Sequence, residues 1–168
     1  MSNRQPGRTL GIDPGSRITG FGVLERNGSA LRHIYSGYVR VSACPSLPVR
    51  LQKIYQAIRQ VIEIHRPTEA AIEKVFFSKN VQSALILGQV RGVALLAAIE
   101  SGLELFEYSP LEIKKAVTGY GRAEKSQVQK MIQHLLDITD IPNQDVSDAL
   151  AAAICHVNWL YPKFEGGS

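Results

Sequence analysis

Cysteine is scarce in this 168-residue chain: only Cys44 and Cys155 occur, far apart and outside any CxxC pair. A disulfide scaffold and a zinc ribbon are thereby excluded, and a reducing, cytoplasmic setting is expected. No uninterrupted apolar run reaches 18 residues, so neither a membrane span nor a membrane partner is expected. The first nine residues are polar and basic, unlike a secretory signal. There is no G-x-S-x-G elbow for a serine nucleophile and no G-x-x-x-x-G-K-[ST] loop for nucleotide phosphates. His33, His65, His134 and His156 are scattered and read as structural or surface residues. Internal repeats, low-complexity tracts and linkers are lacking too. With 45% hydrophobic and 20% charged residues, the chain is not disordered wholesale. Its length suits one domain over residues 1–168, with a short N-terminal extension (1–7) and a short C-terminal tail (162–168).

Charge is present but unevenly placed. The net +4 resides in residues 114–130, where Lys114, Lys115, Arg122, Lys125 and Lys130 face the single acid Glu124. The rest of the chain balances. Such a segment reads either as a solvated helix face or as a docking surface for a polyanion.

The pattern of apolar residues and turn signals predicts the elements. Three antiparallel strands open the chain, over 8–13, 18–25 and 31–41, with a hairpin turn at Asn27-Gly28. Pro45 and Pro48 punctuate the next loop. Leu51, Ile54, Tyr55, Ile58, Val61 and Ile62 then recur at helical spacing, and Pro67 closes that helix. A strand over 69–75 carries Glu73 near its end. A loop over 76–80, a helix over 83–99 and a strand over 103–108 follow. Pro110 opens a helix to about 117, Gly119-Tyr120-Gly121 breaks it, and helices over 123–136 and 145–160 complete the chain. The order predicts one α/β domain with a mixed five-stranded sheet flanked by helices.

Four carboxylates stand out. Asp13 and Glu73 end strands, and Asp145 and Asp148 share a face at the start of the last helix. Like charges at that spacing repel unless a cation lies between them. Asp145 could instead cap the helix, with Asp148 merely suiting the first turn. All four together form a hard oxygen donor set, of the kind that holds Mg²⁺. Two such ions roughly 4 Å apart clamp an in-line phosphoryl displacement.

Five stretches in order carry a resemblance. They are Leu10-Gly11-Ile12-Asp13-Pro14-Gly15-Ser16-Arg17 with Thr19-Gly20; Ala71-Ile72-Glu73-Lys74-Val75-Phe76; Ser83-Ala84-Leu85 with Leu87-Gly88-Gln89 and Arg91-Gly92-Val93-Ala94; Ala123-Glu124-Lys125-Ser126-Gln127-Val128; and Asp145 with Asp148-Ala149-Leu150-Ala151. Together they resemble the RuvC family of Holliday-junction resolvases over roughly residues 8–158. The resemblance implies a ribonuclease-H-like fold and a homodimer that cuts opposed strands of a four-way DNA junction. It implies Asp13, Glu73, Asp145 and Asp148 as catalytic metal ligands, with two Mg²⁺ per site, Mn²⁺ as a substitute, and products carrying 5′ phosphates. It also implies cooperation with the RuvA and RuvB branch-migration complex.

The same resemblance matches Lys114 and Lys125 to DNA-contacting bases and Phe76 to an aromatic that stacks on an unpaired base; Arg122, Lys79 and Asn80 are further candidates for DNA contact. Phe77 remains open between core and stacking roles. The helix over 83–99 matches the family's dimer helix. Its small residues Ala84, Gly88 and Ala94 would allow close approach, either by a partner or by the chain's own sheet. The family often carries a longer basic tail than the Glu165-Gly166-Gly167-Ser168 found here. Three rival readings are an actin-like ATPase, which needs two such domains; a ribonuclease-H-like nuclease acting on RNA or flaps; and a silent junction-binding module.

Overall fold

The computed structural model describes residues 7–74 and 80–160. β1 (Arg8–Asp13), β2 (Ile18–Asn27) and β3 (Ala30–Arg40) form the expected antiparallel meander. β4 (Glu69–Glu73) pairs parallel to β1, and β5 (Glu104–Tyr108) parallel to β4, giving the order β3-β2-β1-β4-β5. The helices are α1 (Leu47–His65), α2 (Val81–Glu100), α3 (Pro110–Thr118), α4 (Lys125–Leu136) and α5 (Gln144–Leu160).

Most boundaries fall within two residues of the sequence expectation, and two of the shifts have evident local reasons. Asn27 pairs with Ala30, so the hairpin turns on Gly28 and Ser29, with Gly28 at φ +61°. Pro48 lies inside the first turn of α1 rather than in the loop before it. A proline is tolerated there because first-turn N–H groups lack helical partners anyway.

Side chains alternate across the sheet and fill two cores. Leu10, Ile12, Phe21, Val23 and Ala70 pack with buried residues of α1 and α2. On the other face, Ala71, Leu24 and Tyr108 pack with α3, α4 and α5. The middle of that second face is bare backbone. Gly11 lies opposite Gly22, and Asp13 opposite Gly20. A methyl group on Gly11 would stand 1.9 Å from the Ala149 carbonyl oxygen, and one on Gly22 2.6 Å from Leu150 Cδ2. Glycine in a strand interior costs roughly 0.5–1 kcal/mol relative to alanine. Here its absent side chain lets α5 lie directly on β1 and β2. The alanines on α5 match that closeness, with Ala149, Ala151, Ala152 and Ala153 all buried.

His156 is structural, as expected. It is fully buried, with its Nδ1 2.6 Å from the Tyr108 hydroxyl and its Nε2 3.1 Å from Glu69 Oε2. The Phe106 ring lies against it at 4.2 Å. These contacts tie α5 to β4 and β5.

Helix α2 is long and apolar enough by composition to cross a membrane. It packs beside α1, burying Val90, Ala94, Ala97 and Ala98. Ala94 therefore packs within its own chain. Gly88 and Gly92 open outward with nothing within 4 Å, on a helix that also exposes Val81, Leu85, Leu96 and Ile99.

Candidate active site

The site is built by strand direction and by the glycine strip. β1 and β4 run parallel, so Asp13 and Glu73 leave the sheet at the same end. Ala71 packs in the α5-side core, and Glu73, two residues on, shares that face. Asp13 likewise lies two residues beyond Gly11, on the face that α5 covers.

Gly20 brings the third part in. A methyl group there would lie 2.2 Å from the Asp145 carbonyl oxygen and 2.7 Å from the Val146 nitrogen. The start of α5 therefore rests on β2 directly opposite Asp13. Gly15 approaches from the β1–β2 turn, where an added methyl would stand 3.7 Å from Asp145 Oδ1.

Asp145 does not cap α5. The Asn143 side chain does, accepting a hydrogen bond from the Val146 N–H at 2.9 Å. Asparagine one residue before a helix is a strong capping signal. With the cap supplied by Asn143, the Asp145 carboxylate is spared that duty.

The four acids feel one another. Burial pushes the Asp13 pKa from 3.8 up to about 8, with Asp148, Asp145 and Glu73 adding to the rise in that order. Glu73 is raised by burial and then by Asp148. Asp148 is raised by burial, opposed by the hydrogen bond its Oδ1 accepts from Gln144 Nε2 at 2.7 Å, and raised further by Asp145. Among the described residues, no three or more His, Cys, Asp or Glu side chains stand close enough together to hold a metal ion. The donor set fits Mg²⁺ in kind: four hard oxygen ligands, partly buried, whose mutual repulsion a divalent ion would relieve.

Two lysines face the acids. Lys125, at the start of α4, lowers the pKa of Asp13, Glu73 and Asp148, and Lys114 on α3 lowers those of Glu73 and Asp148. Two segments of the basic stretch thus converge on the carboxylates. The Ser109 and Glu112 capping box fixes the start of α3, and Gly119 ends it at φ +77°. Arg122 is exposed in the following turn and does not figure among the charges that shift the acids. Phe76 and Lys79, with Phe77, lie outside the described residues. Asn80 has a local role, since its side chain caps α2 by accepting from the Ser83 N–H at 3.1 Å.

Arg91 of α2 was not singled out as a site residue from sequence. Its Nη1 donates to the Glu73 carbonyl oxygen at 2.6 Å, and its Nη2 to the Glu107 carboxylate. It pins the ends of β4 and β5 where Glu73 emerges. The signal in the sequence is a lone basic residue on a mostly apolar helix, which needs a polar partner when half-buried.

The family described as crossover junction endodeoxyribonuclease RuvC matches residues 9–156. The chain belongs to this family. It is 50% identical over 151 residues to the RuvC protein of Geotalea uraniireducens, covering 90% of this chain and 88% of that one. It is 52% identical over 151 residues to the RuvC protein of Alkalilimnicola ehrlichii, covering 90% and 91%. The RuvC structure from T. thermophilus, in complex with a Holliday junction substrate, superposes with a TM-score of 0.86 at 30% identity, covering 92% of this chain and 94% of that one. The RuvC fold is the mixed-sheet, ribonuclease-H-like α/β architecture expected from the element order.

Proposed function

We propose that this chain resolves four-way DNA junctions by metal-dependent nicks in two opposed strands, in homologous recombination and DNA repair. The observation that carries this reading is the electrostatic coupling of Asp13 to Glu73, Asp145 and Asp148 at one sheet end, with Lys114 and Lys125 acting on the same acids, in a member of the RuvC family.

Asp13 would be shared between two Mg²⁺ ions, since it feels all three other acids. Glu73 would hold one ion, and Asp145 with Asp148 the other. When bound, the pair of ions lowers the pKa of the attacking water and stabilises the leaving 3′ oxygen, giving 5′-phosphate products. The protein's own part is positional. The glycine strip seats α5 so that its two acids stand against Asp13, and Arg91 holds the strand end from which Glu73 projects. Burial and the neighbouring acids raise the Asp13 pKa to about 8, so a bound cation would favour its charged form. Lys114 and Lys125 would supply positive charge for the DNA backbone beside the acids.

Two opposed nicks need two sites, so the proposal includes a homodimer. The outward face of α2, with Val81, Leu85, Leu96 and Ile99 exposed beside Gly88 and Gly92, is the surface offered for it. A cytoplasmic setting, Mn²⁺ as a substitute, and cooperation with the RuvA and RuvB complex belong to the same reading and rest on family membership.

The test is a labelled synthetic junction with Mg²⁺, run beside a linear duplex and a DNA–RNA hybrid. Paired symmetric nicks confined to the junction are expected. Equal cutting of the hybrid would move the chain to another nuclease class.

A further inference from the structure

A cavity of about 400 Å³ opens beside Asp145, lined by Gly15, Ser16, Arg17, Ile18 and Leu87. Its floor is a tightly wound turn. A methyl on Gly15 would stand 2.1 Å from the Ile18 carbonyl oxygen, so only glycine permits this path. The fully buried Thr19 hydroxyl closes the turn. It donates to the Gly15 carbonyl at 3.3 Å and accepts from the Gly15 N–H at 3.3 Å. The far end is fixed where the Val41 N–H donates to the Arg17 carbonyl oxygen at 2.9 Å. The backbone that carries Arg17 is thus held at both ends.

Its side chain is not. Arg17 is exposed, and its guanidinium makes no hydrogen bond or ion pair among the described residues. Arginine pairs bidentately with phosphate oxygens and cannot lose its charge. A cation on a rigid turn, at the rim of a cavity that ends on a metal-binding carboxylate, suits an anion that continues outward from the reacting group. Leu87 of α2 supplies the apolar wall opposite, suited to a deoxyribose face.

We infer that this cavity is a nucleotide subsite in which Arg17 grips a backbone phosphate flanking the scissile one, with Leu87 against the adjoining sugar. The inference rests on the junction-cleaving function proposed above and extends that site by one nucleotide. Arg17 thereby sets the register of the strand over the acids. Phosphates bound at this distance position the substrate without reading its bases.

The test pairs Arg17→Gln with junctions in which one phosphate at a time, within two nucleotides of the cleavage point, is a neutral methylphosphonate. Single-turnover cleavage is measured for both proteins on every junction. Wild type should lose about tenfold or more at one flanking position, as expected for a charged hydrogen bond. Arg17→Gln should be slowed to a similar degree on the natural junction and lose little more at that same position. Its melting temperature should match wild type, because the side chain has no partner to lose. Arg17→Gln cleaving the natural junction within twofold of wild type would overturn the subsite. So would a full further loss at every position, since the arginine and the phosphate would then act independently. Failure of the wild-type protein to cleave any junction would overturn the proposed function, and the subsite with it.

Discussion

Replacing Asp13 with asparagine is expected to stabilise the metal-free protein while abolishing cleavage. The sign follows from the proton balance. Asp13 titrates near 8 in the folded chain against an ordinary 3.8. Between those values the folded state holds a proton that the unfolded state has released, so stability falls as pH rises from about 4 to about 8. At pH 7 the accumulated cost is roughly 4 kcal/mol, at about 1.4 kcal/mol per pKa unit. Asparagine keeps the shape of the side chain without a group that can take up the charge. In EDTA at pH 7 the variant should melt on the order of 10 °C above wild type. The gap should close near pH 4, where both side chains are neutral. Mg²⁺ should then raise the wild-type melting temperature and narrow the gap, because the ion binds only the folded site. Thermal melts at pH 4, 7 and 9, with and without Mg²⁺, read all of this. A variant no more stable than wild type in EDTA at pH 7, or a gap that does not change with pH, would refute the reasoning. On junction DNA the variant should bind normally and cleave several orders of magnitude more slowly.

Gly20→Ala should destabilise the fold by about 1–3 kcal/mol in urea unfolding, since its methyl would meet the Asp145 backbone at 2.2 Å, and cleavage should fall because α5 must shift. Arg91→Lys keeps a donor but loses the fork between the Glu73 carbonyl and Glu107; the Mg²⁺ concentration for half-maximal cleavage should rise, as read from a metal titration. Lys114→Gln combined with Lys125→Gln should reduce the slope of log affinity against log salt by about 1.8, measured by junction binding without metal.

Much of this site was legible in the sequence because its chemistry sits at element ends. Asp13 and Glu73 close short apolar strands, and Asp145 with Asp148 opens a long helix, so the element order allows the four to converge at one sheet edge, and the resemblance to the RuvC family implies them as one set. The basic stretch was visible as a charge imbalance, yet only the packing of α3 and α4 shows that Lys114 and Lys125 turn toward the acids while Arg122 does not. The glycines at 11, 20 and 22 read as small residues within strands. Their purpose depends on α5, more than 120 residues away in sequence, and no local pattern announces such a contact. Asn143 carries a local capping signal one residue before α5, and it leaves Asp145 free of that task. Arg91 bonds a backbone carbonyl across two elements, a tertiary relation that no local pattern spells out.

The central claim, that Asp13, Glu73, Asp145 and Asp148 form one metal centre, is tested most directly by anomalous scattering from crystals soaked in Mn²⁺. The account predicts anomalous peaks among these four carboxylates in wild type and their loss in Asp13→Asn. Peaks only elsewhere on the molecule, or peaks that persist undiminished in the variant, would contradict it.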